Sequence, residues 1–198
     1  RYFFADSKKE APKAMAMAAS AGHKHIVEYL LMNGISPNGV SDEGKTPLIY
    51  AIEISNNELI DILINYKADI NKADDDYRTP LMYAAFQGKV EIAEKLLDKK
   101  ADIKAVDSIG RSAMVHAIIM GNIDIIELLR SRGYSLTNKS STSVVEILGG
   151  TSKADYILNS ESKNDFTSFL DYFDYNTYKA KIDGLNERGY VKSSYEIK

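Results

Sequence analysis

Small and apolar positions recur along this chain at a fixed interval. Ala18, Ala51, Ala84 and Ala117 are each 33 residues apart, as are Leu30, Leu63, Leu96 and Leu129. Ile26, Leu59, Ile92 and Ile125 keep the same step, and Gly22, Ser55, Gly88 and Gly121 supply a fourth column. Four columns in one register are the signature of a chain built from copies of one supersecondary unit. Polar residues then set the elements within each copy. Thr46 and Thr79 are good helix N-caps, and Pro47 and Pro80 follow where a missing N–H leaves nothing unsatisfied. This predicts a short, Ala-rich first helix, such as Leu81 to Gln87, whose small side chains let neighbours approach closely. The second helix, such as Leu59 to Tyr66, places Leu59, Ile60, Leu63 and Ile64 on one apolar stripe.

Gly34 and Gly133 end their helices in the left-handed conformation that glycine tolerates. Lys67 and Lys100 hold that position in the middle copies, at a cost of about 1 kcal/mol each, so those turns are expected to fray. Between copies, Ala68 to Asp74 reads as an extended finger in which Asp69, Asp102 and Asn71 bond local backbone. No copy is stable alone, because only its neighbours cover its apolar faces.

The best copy reads Thr79-Pro80-Leu81-Met82-Tyr83-Ala84-Ala85, then Gly88, Ile92-Ala93, Leu96-Leu97 and Ala101-Asp102-Ile103. It resembles the ankyrin repeat, whose unit carries T-P-L-H-x-A-A, a glycine, V-V-x-x-L-L and a closing G-A-D-x-N. Thr46-Pro47-Leu48 repeats the opening, and Ser112-Ala113-Met114 is a decayed version of it. The resemblance spans roughly Lys13 to Asn138. It implies an all-α ankyrin-repeat solenoid: helix-turn-helix repeats joined by β-hairpin-like fingers.

An open stack must hide its terminal apolar faces. Residues 1–12 are expected to form an N-terminal capping segment, with Tyr2, Phe3 and Phe4 over the open end and a first helix from Ala14 to Ala21. Repeats then occupy 13–158, as copies at 13–43, 44–76, 77–109 and 110–141 and a degenerate one at 142–158. Beyond them, Phe166, Phe169, Leu170 and Phe173 fall on one helical face. Residues 159–198 accordingly read as a helical C-terminal cap, Tyr-rich enough that it also offers binding surface.

Composition narrows the chemistry. A net charge of −3 over 198 residues disfavours a dedicated nucleic-acid binder, which needs a clustered cationic surplus. The absence of Cys excludes disulfides, thiolate nucleophiles and Cys-based zinc sites. No apolar run approaches the roughly 20 residues of a membrane span. His23 and His25 are two apart on a helix, point to different sides and do not chelate together. Asp74-Asp75-Asp76 lacks the spacing of a calcium loop, and Gly149-Gly150-Thr151 lacks that of a phosphate loop. No Gly-x-Ser-x-Gly elbow occurs. No catalytic, cofactor-binding or metal-binding residue is assigned, no cofactor is expected, and the chain reads as non-enzymatic.

The resemblance implies a protein partner in a concave groove lined by finger tips and first helices. The corresponding slots are Asp42, Glu43, Lys45, Glu53 and Ile54, then Asp75, Asp76, Arg78, Phe86 and Gln87. The fourth copy supplies Ser108, Ile109, Arg111, Ile119 and Met120, and Tyr50, Tyr83 and His116 share a column beside them. Ile54, Phe86, Ile119 and Met120 are apolar where solubility alone favours polar residues, although packing between first helices would also account for Phe86 and Ile119. Asp42, Glu43, Asp75 and Asp76 add a negative edge suited to a partner with a basic rim. The Lys-, Ile- and Asn-rich, Trp-free composition has a bacterial look. With the resemblance, it points to a monomeric inhibitor or immunity protein that neutralises a cognate enzyme or toxin; a scaffold or secreted effector that binds a host protein is the alternative. Arg1 at the start, read as a trimmed signal peptide, favours the periplasm over the cytoplasm.

Overall fold

The computed structural model describes residues 3–134, with side-chain surroundings from Ala11 onward. The degenerate copy, the C-terminal cap and the covering role of Tyr2, Phe3 and Phe4 lie outside that description. Among the described residues eight helices follow one another in pairs: α1 (Phe3–Ser20) with α2 (Lys24–Met32), α3 (Pro47–Glu53) with α4 (Asn57–Asn65), α5 (Pro80–Phe86) with α6 (Val90–Asp98), and α7 (Ala113–Ile119) with α8 (Ile123–Ser131). The first helix begins well before Ala14, so residues 3–12 extend α1 rather than forming a separate segment, with Pro12 inside it. Gly39, at the root of the first finger, backs directly onto Pro12: a Cβ there would lie 2.5 Å from its backbone.

The first helices α1, α3, α5 and α7 pack side by side in chain order. Their alanine column explains the closeness, since Ala51, Ala84 and Ala117 are fully buried where the helices meet. In the described copies the later first helices have 7 residues, against 9 in their partners. The first helices thus form one layer of the stack, and each second helix packs against the first helix of its own unit. Leu59, Ile60, Leu63, Leu96 and Leu129 are also fully buried, so one continuous apolar seam runs through all four pairs. Thr46 Oγ1, Thr79 Oγ1 and Ser112 Oγ accept the N–H three residues on, at 3.2, 3.4 and 3.5 Å.

Every positive-φ residue among those described falls in one of three columns of the repeat. The helix-to-helix turns hold Gly22, Ser55, Gly88 and Gly121; the ends of the second helices hold Gly34, Lys67, Lys100 and Gly133; the finger tips hold Gly44, Tyr77 and Gly110. Lys67 and Lys100 sit at φ 67° and 66°, in the left-handed region that their column demands. The fingers are tighter than a β-ribbon. The described residues contain no strand, only the isolated antiparallel bridge Val106–Ser112. Each finger closes on two backbone bonds. One set is Ser41 N–H to Lys45 O, Asp74 N–H to Arg78 O and Asp107 N–H to Arg111 O, at 3.0, 3.1 and 2.9 Å. At the tips, Gly44 N–H bonds Ser41 O, Tyr77 N–H bonds Asp74 O and Gly110 N–H bonds Asp107 O, at 3.1, 3.0 and 2.9 Å.

Polar links also cross from unit to unit. Asp69 Oδ1 and Asp102 Oδ1 accept local N–H groups, from Asn71 and Lys104 at 2.9 Å each. The Asn71 side chain reaches the next unit rather than its own turn. Stacking brings the Asp102 N–H of the next unit to its Oδ1 at 2.8 Å, and Asn38 receives the Asp69 N–H in the same way. On the outer side, Lys24–Glu58, Asp61–Lys95 and Asp98–Arg132 each join consecutive second helices.

Replacing Lys67 or Lys100 by glycine relieves the left-handed strain. Each variant is expected to gain about 1 kcal/mol of stability, read as a raised urea or thermal midpoint.

Candidate protein-binding surface

The residues singled out by the repeat pattern divide into two sets. The inner set is built around an acidic column. Asp74 is buried and its carboxylate accepts four bonds: from Asp76 N–H at 3.0 Å, Arg78 N–H at 2.8 Å, Arg78 Nε at 2.8 Å and Tyr83 Oη at 2.6 Å. One unit on, Asp107 does the same with Ile109 N–H at 3.1 Å, Arg111 N–H and Nε at 2.8 Å each, and His116 Nε2 at 3.0 Å. An ionised carboxylate only accepts, so Nε2 of His116 carries the proton in this bond, and burial of the ring favours its neutral form. In the preceding unit Ser41 takes the place of the aspartate, and Tyr50 Oη bonds its Oγ at 3.0 Å. The network ties each finger down onto the first helix beside it.

Tyr83 and His116, placed beside the groove by the sequence pattern, are turned inward. They are 6% and 3% exposed and spend their polar atoms on Asp74 and Asp107. Arg78 and Arg111 are largely buried with them; Arg78 also lies 5.4 Å over the Tyr83 ring and reaches Asp76 at 3.0 Å. Lys45 fills the equivalent place, between Glu53 at 2.9 Å and Glu43 at 3.3 Å, above the rings of Tyr50 and Tyr83. Burial pulls the Lys45 pKa down, and its two glutamates outweigh that and raise it.

The outer set faces solvent. Ile54 and Met120, the C-caps of α3 and α7, are 42% and 41% exposed. Between them Phe86 and Ile119 are half-buried, the Phe86 ring meeting His116 edge-on at 6.2 Å, so both residues serve packing as well as surface. Gln87 donates to Glu53 O at 3.4 Å across the unit boundary, while its buried Oε1 finds no partner among the described residues. Asp42 is exposed and pairs with Lys13 at 2.6 Å; Glu43, Asp75 and Asp76 stand along the finger tips, and Ile109 is half-buried beside them. Sequence reasoning missed the Ser41, Asp74, Asp107 column, although its 33-residue spacing is visible in the chain.

No group of three or more His, Asp or Glu among the described residues is placed to hold a metal ion, and no described helix is long and apolar enough to cross a membrane. What the fold offers is shaped surface: a stack of helix pairs with a row of fingers, the architecture of a helical-repeat binding protein. An ankyrin repeat model of three copies matches residues 3–74 and 55–140. The chain belongs to the ankyrin repeat family, whose members are in general non-enzymatic protein–protein interaction modules. A comparison with curated proteins returned no match.

Two outcomes test the acidic column. Asp74→Ala strands the Tyr83 hydroxyl, the Arg78 guanidinium and two N–H groups, and is expected to cost about 2–4 kcal/mol in urea denaturation. Acid should act on the fourth unit in two stages. Burial depresses the His116 pKa despite the raising effect of Asp107, so the stability of its neutral form is complete above about pH 6.5 and is lost as pH falls below that. Burial raises Asp107, but the His116 bond, the Arg111 charge and the Arg111 N–H override it and hold the group at about 2. Its contribution is present above about pH 3.8 and is lost toward 2. His116→Tyr, which copies the Tyr83 arrangement, should remove the first stage, seen as equal urea midpoints at about pH 7.5 and 5.5.

Proposed function

We propose that this protein binds one macromolecular partner through the inner face of the stack and neutralises it by covering its working surface, as an inhibitor or immunity protein does for a bacterial enzyme or toxin. One observation carries the reading: apolar side chains stand at the C-caps of the first helices, Ile54 and Met120, in a row with Phe86 and Ile119 and bordered by the carboxylates of the finger tips. The seam beneath is already closed by fully buried Leu48, Ile52, Leu81 and Met114, so the exposed parts of Ile54, whose Cδ1 lies at the Gly22 turn, and of Met120 are left for a partner. An apolar strip inside a polar border is the layout of a protein interface. Rigidity supports a covering mode of action. With fingers tied to helices and units tied to one another, little ordering cost remains for the moment of binding.

Full-length protein used as bait should capture one partner in equal stoichiometry. Ile54→Asp with Met120→Asp is expected to abolish capture, a loss of at least about 100-fold, while the circular dichroism melt stays unchanged. Capture that survives the double substitution would place the partner elsewhere.

A further inference from the structure

The finger tips carry one residue that the repeat pattern does not call for. Three tip positions, 33 residues apart, all have left-handed backbone: Gly44 at φ 69°, Tyr77 at φ 62° and Gly110 at φ 83°. Glycine meets that requirement without strain, and a bulky aromatic does not. Little packing offsets it, because Tyr77 is 67% exposed. Its counterparts in the flanking fingers have no side chain at all, so the ring stands clear on both sides.

The tips are also joined laterally. The Asp75 carboxylate lies against Gly44, where a Cβ would come within 2.2 Å of Oδ1. On the other side Ser108 N–H donates to Asp76 O at 2.9 Å. Tyr77 thus sits at the middle of a continuous ledge rather than on a lone loop. Charge along the ledge is mainly acidic toward solvent, with Lys13 an exposed cation beside Asp42. The Asp42, Glu43 and Asp76 side chains are about half exposed or more, whereas Lys45 and Arg78 are tucked under them, and Asp75 is exposed with no ion-pair partner among the described residues.

We propose that this ledge takes a protein segment presenting an arginine or lysine side chain, the cation lying on the Tyr77 ring with Asp75 and Asp76 as its counter-charge. An aromatic face attracts a cation, and the surrounding carboxylates bring one there. The proposal rests on the reading that a protein partner docks on the finger side of the stack, and it names the chemistry that partner carries at the tips.

The test records amide spectra of the full chain during titration with a short peptide of alternating glycine and arginine, and with the same peptide carrying uncharged citrulline. With the arginine peptide, shifts should concentrate at residues 42–44, 75–78 and 108–110; citrulline should leave them unmoved. Tyr77→Gly should weaken arginine-peptide binding roughly two- to fivefold while raising the thermal midpoint, and Tyr77→Phe should preserve binding. Equal binding by Tyr77→Gly, or shifts spread evenly over carboxylates elsewhere on the chain, would overturn the proposal. If either result comes with partner capture still dependent on Ile54 and Met120, the ledge alone is refuted. Arginine binding that depends on Tyr77, with capture insensitive to Ile54 and Met120, refutes the groove reading alone.

Discussion

Every helix pair in this protein has an apolar face that only the next pair can cover. That constraint organises the rest of the molecule. The alanines at 51, 84 and 117 are small because the first helices must lie nearly in contact, and the leucines at 63, 96 and 129 are large because the space behind them must be filled. Burial per unit is modest, so stability is a sum of neighbour interfaces rather than the property of one central core. With the seam closed beneath them, Ile54 and Met120 stand partly exposed at the ends of their first helices.

Polar groups add direction to that stacking. Apolar contact alone would let units slide or rotate; the cross-unit bonds that Asn38 and Asn71 accept, and the ion pairs along the second helices, fix one offset. Within a unit the buried aspartate does a different job. Asp74 and Asp107 each collect four donors from the finger and the first helix, so the finger is held at a set angle to the helix layer. A serine serves the first finger with fewer bonds, so that finger is more weakly anchored.

Much of the architecture was readable from spacing because period and capping act locally. Thr46, Thr79 and Ser112 cap the helices they were expected to start, and Lys67 and Lys100 adopt the left-handed turn that their column requires. What spacing did not show was which way a polar side chain turns. Tyr83, His116, Arg78 and Arg111 occupy columns that face a groove in outline, yet a carboxylate directly beneath draws them inward. Asn71 reads as a turn residue, and its true acceptor role appears only when a residue 31 positions later is stacked beside it. The extent of α1 was also hidden: the first helix was expected from Ala14, whereas it begins at Phe3 and includes Pro12.

The periodic placement of left-handed residues has a consequence for how such a chain can change length. Gain or loss of a single residue inside a unit would shift that backbone demand onto neighbours such as Ile35 or Ile54, whose side chains resist it. Duplication or deletion of a complete 33-residue module keeps all three columns in phase. Such a protein can therefore grow or shrink by whole modules, and acquire new reach for a larger target, without redesign of any turn.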